Sequence, residues 1–373
     1  MSMIVSTSYG TGSFMNGRER ISAVLGKQPV DRLSWTTIVD GNTLSALPHG
    51  MQGMSGVDFC RYIGCDIFLL NGWGIKPNLS SPALVWSEDL TVSSREDSGK
   101  TIRELRTPEG TLTAIYRGAH PIKPLVTSLE EVNLYREIWE NTQFVERDDT
   151  QPYKEINSII GEDGITTRFW GPSTIPRLLE YDIGMQNFYY MLFDHPHEME
   201  KLINTIHERE LKAFEILAQG PCDTIILCEN TSTFYISPEI YCKYNGPHVR
   251  DFVDIVHAAG KTAIIHMCGH VRNILDQIGD TGLDGIHALT PPPTGDTPWE
   301  LALDVIGEDL IIIGILDPSI FISGPLEEIA AALDSLYTPR LRHANFILCP
   351  AADGICVPIE RFQAVANWMH KNG

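Results

Sequence analysis

Residues 262–289 read TAIIHMCGHVRNILDQIGDTGLDGIHAL, and the order of residue types in this stretch decides the fold. Thr262 to Cys268 is an apolar run of strand length, and Gly285 to Leu289 is a second. Strands buried on both faces read as such runs, and a helix-length segment between two of them is the signature of a parallel α/β unit. Working outward, the same alternation predicts strands at Arg32–Val39, Asp66–Asn71, Thr166–Trp170 and Thr224–Glu229 upstream, and at Leu310–Leu316 and Phe346–Pro350 downstream. Eight strands result. The clearest helix between them is HPHEMEKLINTIHERELKAFEILAQG (195–220), whose Met199, Leu202, Ile203, Ile206 and Leu211 fall at helical spacing before Gly220 stops it. No GxGxxG follows the first strand, which argues against an open doubly wound sheet. The prediction is an α/β chain folded as a (β/α)8 TIM barrel, a single domain over 1–373 with a flexible arm at 1–17. A β-hairpin insertion is expected over 84–118, where alternating segments flank the turns Asp97-Ser98-Gly99 and Pro108-Glu109-Gly110.

The charge balance narrows the partners. With 28 Lys and Arg against 48 Asp and Glu, the net charge is −20, which repels phosphate backbones and excludes nucleic acid as an expected partner. No apolar run approaches the roughly 20 residues that span a bilayer, so no membrane partner is expected. The amino-terminal MSMIVSTSYGTGSFMNG lacks a cationic region followed by an apolar stretch, and the eight cysteines have no paired spacing. Both features predict reduced thiols in a cytoplasmic protein. Self-association is compatible with this composition.

A barrel of this class carries its chemistry where strands end and βα loops begin. Those positions hold Trp35 and Thr37, Asn71 and Trp73, Trp170 and Gly171, Glu229 and Asn230, His266 and Cys268, His287, Asp317, and Cys349 with Asp353. His266 and Cys268 are two apart on one strand and so point to the same face. Imidazole and thiolate are preferred zinc ligands, and the competing reading of the pair is ordinary packing. The expected metal set is His266, Cys268, Cys349 and Glu229, with the loop residue Cys356 as the alternative to Cys349. Glu229, His266 and Asp317 are the expected catalytic groups. Trp35, Asn71, Trp170, Asn230 and His287 are expected to line the substrate pocket, with packing the competing reading for Trp170.

Several segments together resemble the uroporphyrinogen decarboxylase superfamily: GRERISAVLGKQPVDRLSW (17–35), Trp170-Gly171-Pro172-Ser173 with LLEYDIGMQNFYYMLFDHPHEMEKLI (178–203), residues 237–296, and LCPAADGICVPIERFQAVANW (348–368). The resemblance covers nearly the whole chain. True decarboxylases of that superfamily carry arginines after the first strand to grip substrate carboxylates, whereas TTIVDGNTLSALPHG (36–50) has none. The other branch moves methyl groups to or from the cobalt of a corrinoid carried on a separate protein, often with zinc held by His-x-Cys and a later cysteine. This sequence has the His-x-Cys pair but reads Cys349-Pro350-Ala351-Ala352 where the related pattern is Ser-Pro-Gly-Cys. The resemblance implies a zinc-assisted, corrinoid-protein-dependent methyltransferase acting on a small methylated compound such as a methoxylated aromatic. Its alternatives are transfer from methylcobalamin to a thiol of the coenzyme M type, a uroporphyrinogen decarboxylase, and a non-catalytic binding barrel.

Overall fold

The computed structural model describes residues 14–72, 74–118, 120–352 and 356–372. Trp73, Asp353 and the first thirteen residues of the expected arm lie outside them. Eight parallel strands form one sheet: β1 (Ser34–Trp35), β2 (Ile67–Leu70), β3 (Gly164–Trp170), β4 (Thr224–Cys228), β5 (Thr262–His266), β6 (Gly285–Leu289), β7 (Ile311–Ile315) and β8 (Asn345–Cys349). From β2 to β8 each strand pairs with its neighbour in the chain, and β8 returns to pair with β1 through Ser34 opposite Ile347 and Trp35 opposite Leu348. The remaining seam, between β1 and β2, is closed by two bonds instead of a ladder. The Asp66 N–H donates to the Trp35 carbonyl at 2.8 Å, and the Phe68 N–H donates to Thr36 Oγ1 at 3.2 Å. The fold is a TIM-barrel-like α/β fold.

Side-chain alternation sorts each strand into two rows. Phe68, Ile226, Ile264, Ile311, Ile313 and Ile347 fill the barrel interior. Ile225, Leu227, Ala263, Ile265, Ile312 and Leu348 face the helices in the larger outer core. Helix Gly17–Leu25 seals the interior through Ile21 and Val24. That helix starts where it does because Asn16 and Glu19 form a reciprocal capping box.

The insertion is larger than the sequence indicates. Strands Thr91–Asp97, Lys100–Thr107, Gly110–Arg117 and His120–Lys123 form an antiparallel meander, and Ala83–Val85 pairs separately with Gln143–Val145. Ser98 and Gly99 both have positive φ, 52° and 73°, the requirement of a two-residue type I′ hairpin turn. The fourth strand contains Pro121, which reads as a breaker in sequence. It is tolerated because that strand lies on the sheet edge.

The β1–β2 seam rests on buried charge. Asp66 accepts from Arg20 Nη1 at 2.5 Å, Arg32 Nη2 at 3.0 Å and Ser34 Oγ at 2.9 Å, while Arg20 also pairs with Asp31 at 2.7 Å. The Arg20 and Asp66 side chains are 4% and 3% exposed. Removing one partner strands the other in a low dielectric. Arg20→Met should therefore lower unfolding free energy by about 3–5 kcal/mol in chemical denaturation. A loss below about 1 kcal/mol would show that Arg32 and Ser34 satisfy Asp66 without Arg20.

Candidate functional site

The carboxyl ends of β4, β5 and β6 bring most of the chemistry together. On β5 the inward row runs Ile264, His266, Cys268, while Ile265 and Met267 sit in the outer core. His266 and Cys268 thus stand on the barrel side of the chain. On β6 the register with β7 shifts between His287 and Leu289, and Ala288 takes a positive φ of 68°. A bulge re-aims side chains. Here it brings His287 Nδ1 to 2.7 Å from His266 Nδ1. Phe169 stands edge-on to both imidazoles, at 5.5 and 6.3 Å between ring centres, and Phe68 stacks on His287 at 6.4 Å. Burial pushes His266 down to about 4, and burial, with His266 beside it, holds His287 well below the usual imidazole value, so both rings are neutral at pH 7.

Cys268 belongs to a second chain of contacts. Its Sγ donates to Asn230 Oδ1 at 3.1 Å, and Asn230 Nδ2 donates to Glu180 Oε1 at 2.6 Å. Asn230 holds this position because its backbone turns left-handed, φ 49°, with its N–H bonded to the His266 carbonyl and its own carbonyl accepting from Tyr235 Oη. Cys268 is open to solvent on one side, yet its surroundings exclude enough water, with Glu180 adding negative charge, to raise its pKa. It is a thiol in this setting. Burial also raises Glu180 and so favours its protonated form. Cys228, the last inward residue of β4, is pushed up to about 12 by burial. Glu180 escapes a reading confined to strand ends, because it lies in the turn Leu178–Asp182 after β3. The only sequence signal for it is a carboxylate within the apolar stretch Leu178-Leu179-Glu180-Tyr181.

Glu229 is placed elsewhere. It follows Ile225 and Leu227 in the outward row of β4, and it is 1% exposed. Oε1 accepts from Thr231 at 3.0 Å and Asn245 at 2.6 Å, and Oε2 accepts from Ser173. Expected beside His266 and Cys268, it is instead bound behind the strand, because one step along a strand reverses the face. Glu210, on helix Pro196–Gln219, is equally buried and accepts from the Thr174 hydroxyl at 2.6 Å and backbone N–H at 3.1 Å. Burial pushes each of these two carboxyls up to about 7.

Four further expected residues have partners outside this cluster. Trp35 is 1% exposed in the outer core, and Trp170 packs edge-on against Phe144 and Phe214 at 5.7 and 5.6 Å. Both face helices, away from the barrel interior. Asn71 spends its amide on the neighbouring strand: Nδ2 donates to the Phe169 carbonyl at 2.7 Å, and Oδ1 accepts from the Phe169 N–H at 2.8 Å and Arg168 at 2.6 Å. Asp317 accepts from the N–H and hydroxyl groups of both Thr294 and Ser319. Burial pushes its pKa up, but these bonds outweigh burial and hold it below the usual carboxylate value. It is an anion that pins the Pro-rich loop after β6, not a proton donor.

The donors expected for zinc do not fit a common site. Cys349 is buried in the barrel interior, and that burial pushes its thiol up to about 12. Glu229 is engaged behind β4, His266 Nδ1 faces His287, and Cys268 faces Asn230. Cys356 is exposed. Among the described residues, no group of three or more His, Cys, Asp or Glu is arranged to hold a metal ion.

Comparison with known proteins places this geometry in a lineage. The profile of the family described as uroporphyrinogen decarboxylase (URO-D) matches residues 171–371. The methylcobamide:CoM methyltransferase MtbA of Methanosarcina acetivorans is 30% identical over 118 residues, 31% of this chain and 33% of that protein. The match therefore spans about a third of that relative's length. A solved methyltransferase from Methanosarcina mazei superposes with a TM-score of 0.57 at 12% identity, covering 96% of this chain and 99% of that one. That likeness is one of fold. Among the described residues no helix is long and apolar enough to cross a membrane.

The buried carboxyls predict a pH dependence. Folded Glu210 and Glu229 keep their protons to about pH 7, whereas unfolded glutamate loses its proton near ~4.3. The stability they contribute is complete below that lower value, declines as pH rises through about 7, and is flat above. Thermal melts of Glu229→Gln should show a shallower decline between about pH 5 and 7 than the parent. An unchanged slope would show that Glu229 is already ionised in the fold.

Proposed function

This chain belongs to the uroporphyrinogen decarboxylase family, and on that footing we propose that it is a methyltransferase working with a corrinoid protein. It takes the methyl group of a small methylated compound, a methoxylated aromatic being the best fit, and delivers it to the corrinoid cobalt. The observation that carries this reading is the Glu180–Asn230–Cys268 chain beside the neutral His266–His287 pair, a mouth lined with proton-bearing groups. Decarboxylation of a multiply charged tetrapyrrole calls for cationic grips, and residues 36–50 hold no arginine.

The cobalt, when its carrier is docked, supplies the group that exchanges methyl. The barrel supplies position and protons. Breaking a methyl–oxygen bond leaves the electron pair on oxygen, and that oxygen needs a proton or a hydrogen-bond donor as charge develops. Glu180, biased toward its protonated form and held by Asn230, is placed to be that acid. Cys268 and His266 complete the lining of the mouth. Among the described residues no donor set for zinc is assembled, and in this reading these side chains carry the proton chemistry. The carrier needs a docking rim, and exposed Phe234, tilted against His270 at 3.8 Å between ring centres, and exposed Tyr181 provide apolar contacts beside Asn230 and Glu180. A cytoplasmic location suits the reduced thiols and a protein partner of this kind. The partial match to a methylcobamide:CoM methyltransferase favours, as a second reading, transfer toward a thiol acceptor.

Purified enzyme, a reduced corrinoid protein and a panel of methoxylated aromatics should together give demethylated product and a change in the corrinoid's visible spectrum. Omitting any one should abolish both. Glu180→Gln should slow demethylation by roughly a hundredfold. Loss of methyl from a methylated corrinoid only when a thiol is added would favour the second reading. Carbon dioxide released from a carboxylated tetrapyrrole, with no methyl transfer to or from any compound tested, would overturn both.

A further inference from the structure

Glu180 sits on a turn that other parts of the chain hold in shape. The Ile183 N–H donates to the Leu178 carbonyl at 3.0 Å, a bond that encloses one residue more than a regular helical turn. Wide turns of this kind are frequent at functional sites. Both ends of this one are gripped by a single helix, Leu129–Glu140, which follows the antiparallel meander. Tyr135 and Trp139 are four apart on that helix and so share a face. Just before the turn, Arg177 lies over the Trp139 ring, 5.5 Å from its centre. At its end, Tyr135 Oη donates to Asp182 Oδ2 at 2.6 Å, and the Val126 N–H, a little upstream of the helix, donates to the Asp182 carbonyl at 2.8 Å. Tyr135 and Val126 are both buried. Burial raises the Asp182 carboxyl, while Arg177, the Tyr135 hydroxyl and Arg103 of the meander favour its charged form. Between the two anchors stands Glu180, with Oε1 on Asn230 Nδ2 at 2.6 Å.

We propose that Tyr135 and Asp182 are positioning residues. The segment that follows the meander clamps the turn Leu178–Asp182 and so holds the Glu180 carboxyl on Asn230 at the barrel mouth. The clamp lies outside the β/α units of the barrel, which gives the insertion a task at the site. An acid misplaced by about 1 Å loses up to roughly a hundredfold in rate, so a hydroxyl that fixes the turn has leverage on the chemistry. That the held carboxyl acts as an acid rests on the methyl-transfer reading; the clamp itself does not.

Nitrogen-15 NMR of asparagine-labelled protein, with the Asn230 side-chain amide assigned from Asn230→Gly, reads the Glu180 bond without turnover. In the parent one Nδ2 proton should be shifted downfield by the carboxyl, and Glu180→Ala supplies the unbonded reference. Tyr135→Phe, which deletes only the hydroxyl, should move that proton most of the way to the reference and lower kcat for demethylation about tenfold, with a smaller change in KM. Asp182→Asn still accepts from Tyr135 and should keep the parent amide signal and kcat. Arg209→Met is the control for general loosening of the helix, since Arg209 Nη2 donates to the Glu140 carbonyl at the helix end, 2.8 Å away. It should leave the amide signal and kcat at parent values whatever its thermal midpoint. A folded Tyr135→Phe protein with the parent amide signal would overturn the proposal, as would an equal displacement in Arg209→Met. Failure of the methyl-transfer reading registers separately, as absent demethylation in the parent, or an unchanged kcat in Tyr135→Phe, with the amide signals as expected.

Discussion

In a closed parallel barrel every strand offers one row to the interior and one to the helices, and a single residue step exchanges them. The site depends on that constraint. Cys228 ends the inward row of β4, while Glu229, one position on, is carried outward into bonds with Ser173, Thr231 and Asn245. Asn230 then turns left-handed and returns an amide to the mouth, where it joins Cys268 to Glu180. The bulge in β6 does for His287 what the turn does for Asn230. Both devices are local departures from regular strand geometry, and each aims a polar side chain that regular alternation would send elsewhere.

The second organising feature is the removal of charge from the interior. Burial keeps His266 and His287 unprotonated and keeps Cys228, Cys268 and Cys349 as thiols. Asp317 stays ionised because four hydrogen bonds hold it, and its task is to fix a loop. At the β1–β2 seam, by contrast, Asp66 and Arg20 are paired directly and close the barrel where a strand ladder is missing. Neutral proton donors suit a reaction in which a methyl group leaves oxygen, since the developing charge then falls on the substrate and not on the protein.

Much of the fold was legible in the sequence because buried parallel strands announce themselves as apolar runs; all eight were placed within a few residues. The fourth strand of the meander was not, since Pro121 hides an edge strand that tolerates it. The site was less legible. His266 and Cys268 share a face by simple counting. The position of Glu229 needed the parity of β4 to be read as carefully as that of β5, and Ile226 facing inward already implied it. Trp35 and Trp170 are large aromatics at strand ends, but the outward row took them into the core. Glu180 lies on a turn after β3, and no spacing rule ties it to Cys268. The approach of His287 to His266 depends on a bulge that sequence pattern does not register.

The account stands or falls on which face of β4 bears the chemistry. Methyl transfer from a competent donor to a reduced corrinoid protein should be measured side by side for Asn230→Gly, which preserves the left-handed backbone and removes only the amide, and for Glu229→Gln. The account predicts that Asn230→Gly slows transfer by roughly a hundredfold while Glu229→Gln stays within about threefold of the parent. Full activity in Asn230→Gly with transfer abolished in a folded Glu229→Gln would contradict it.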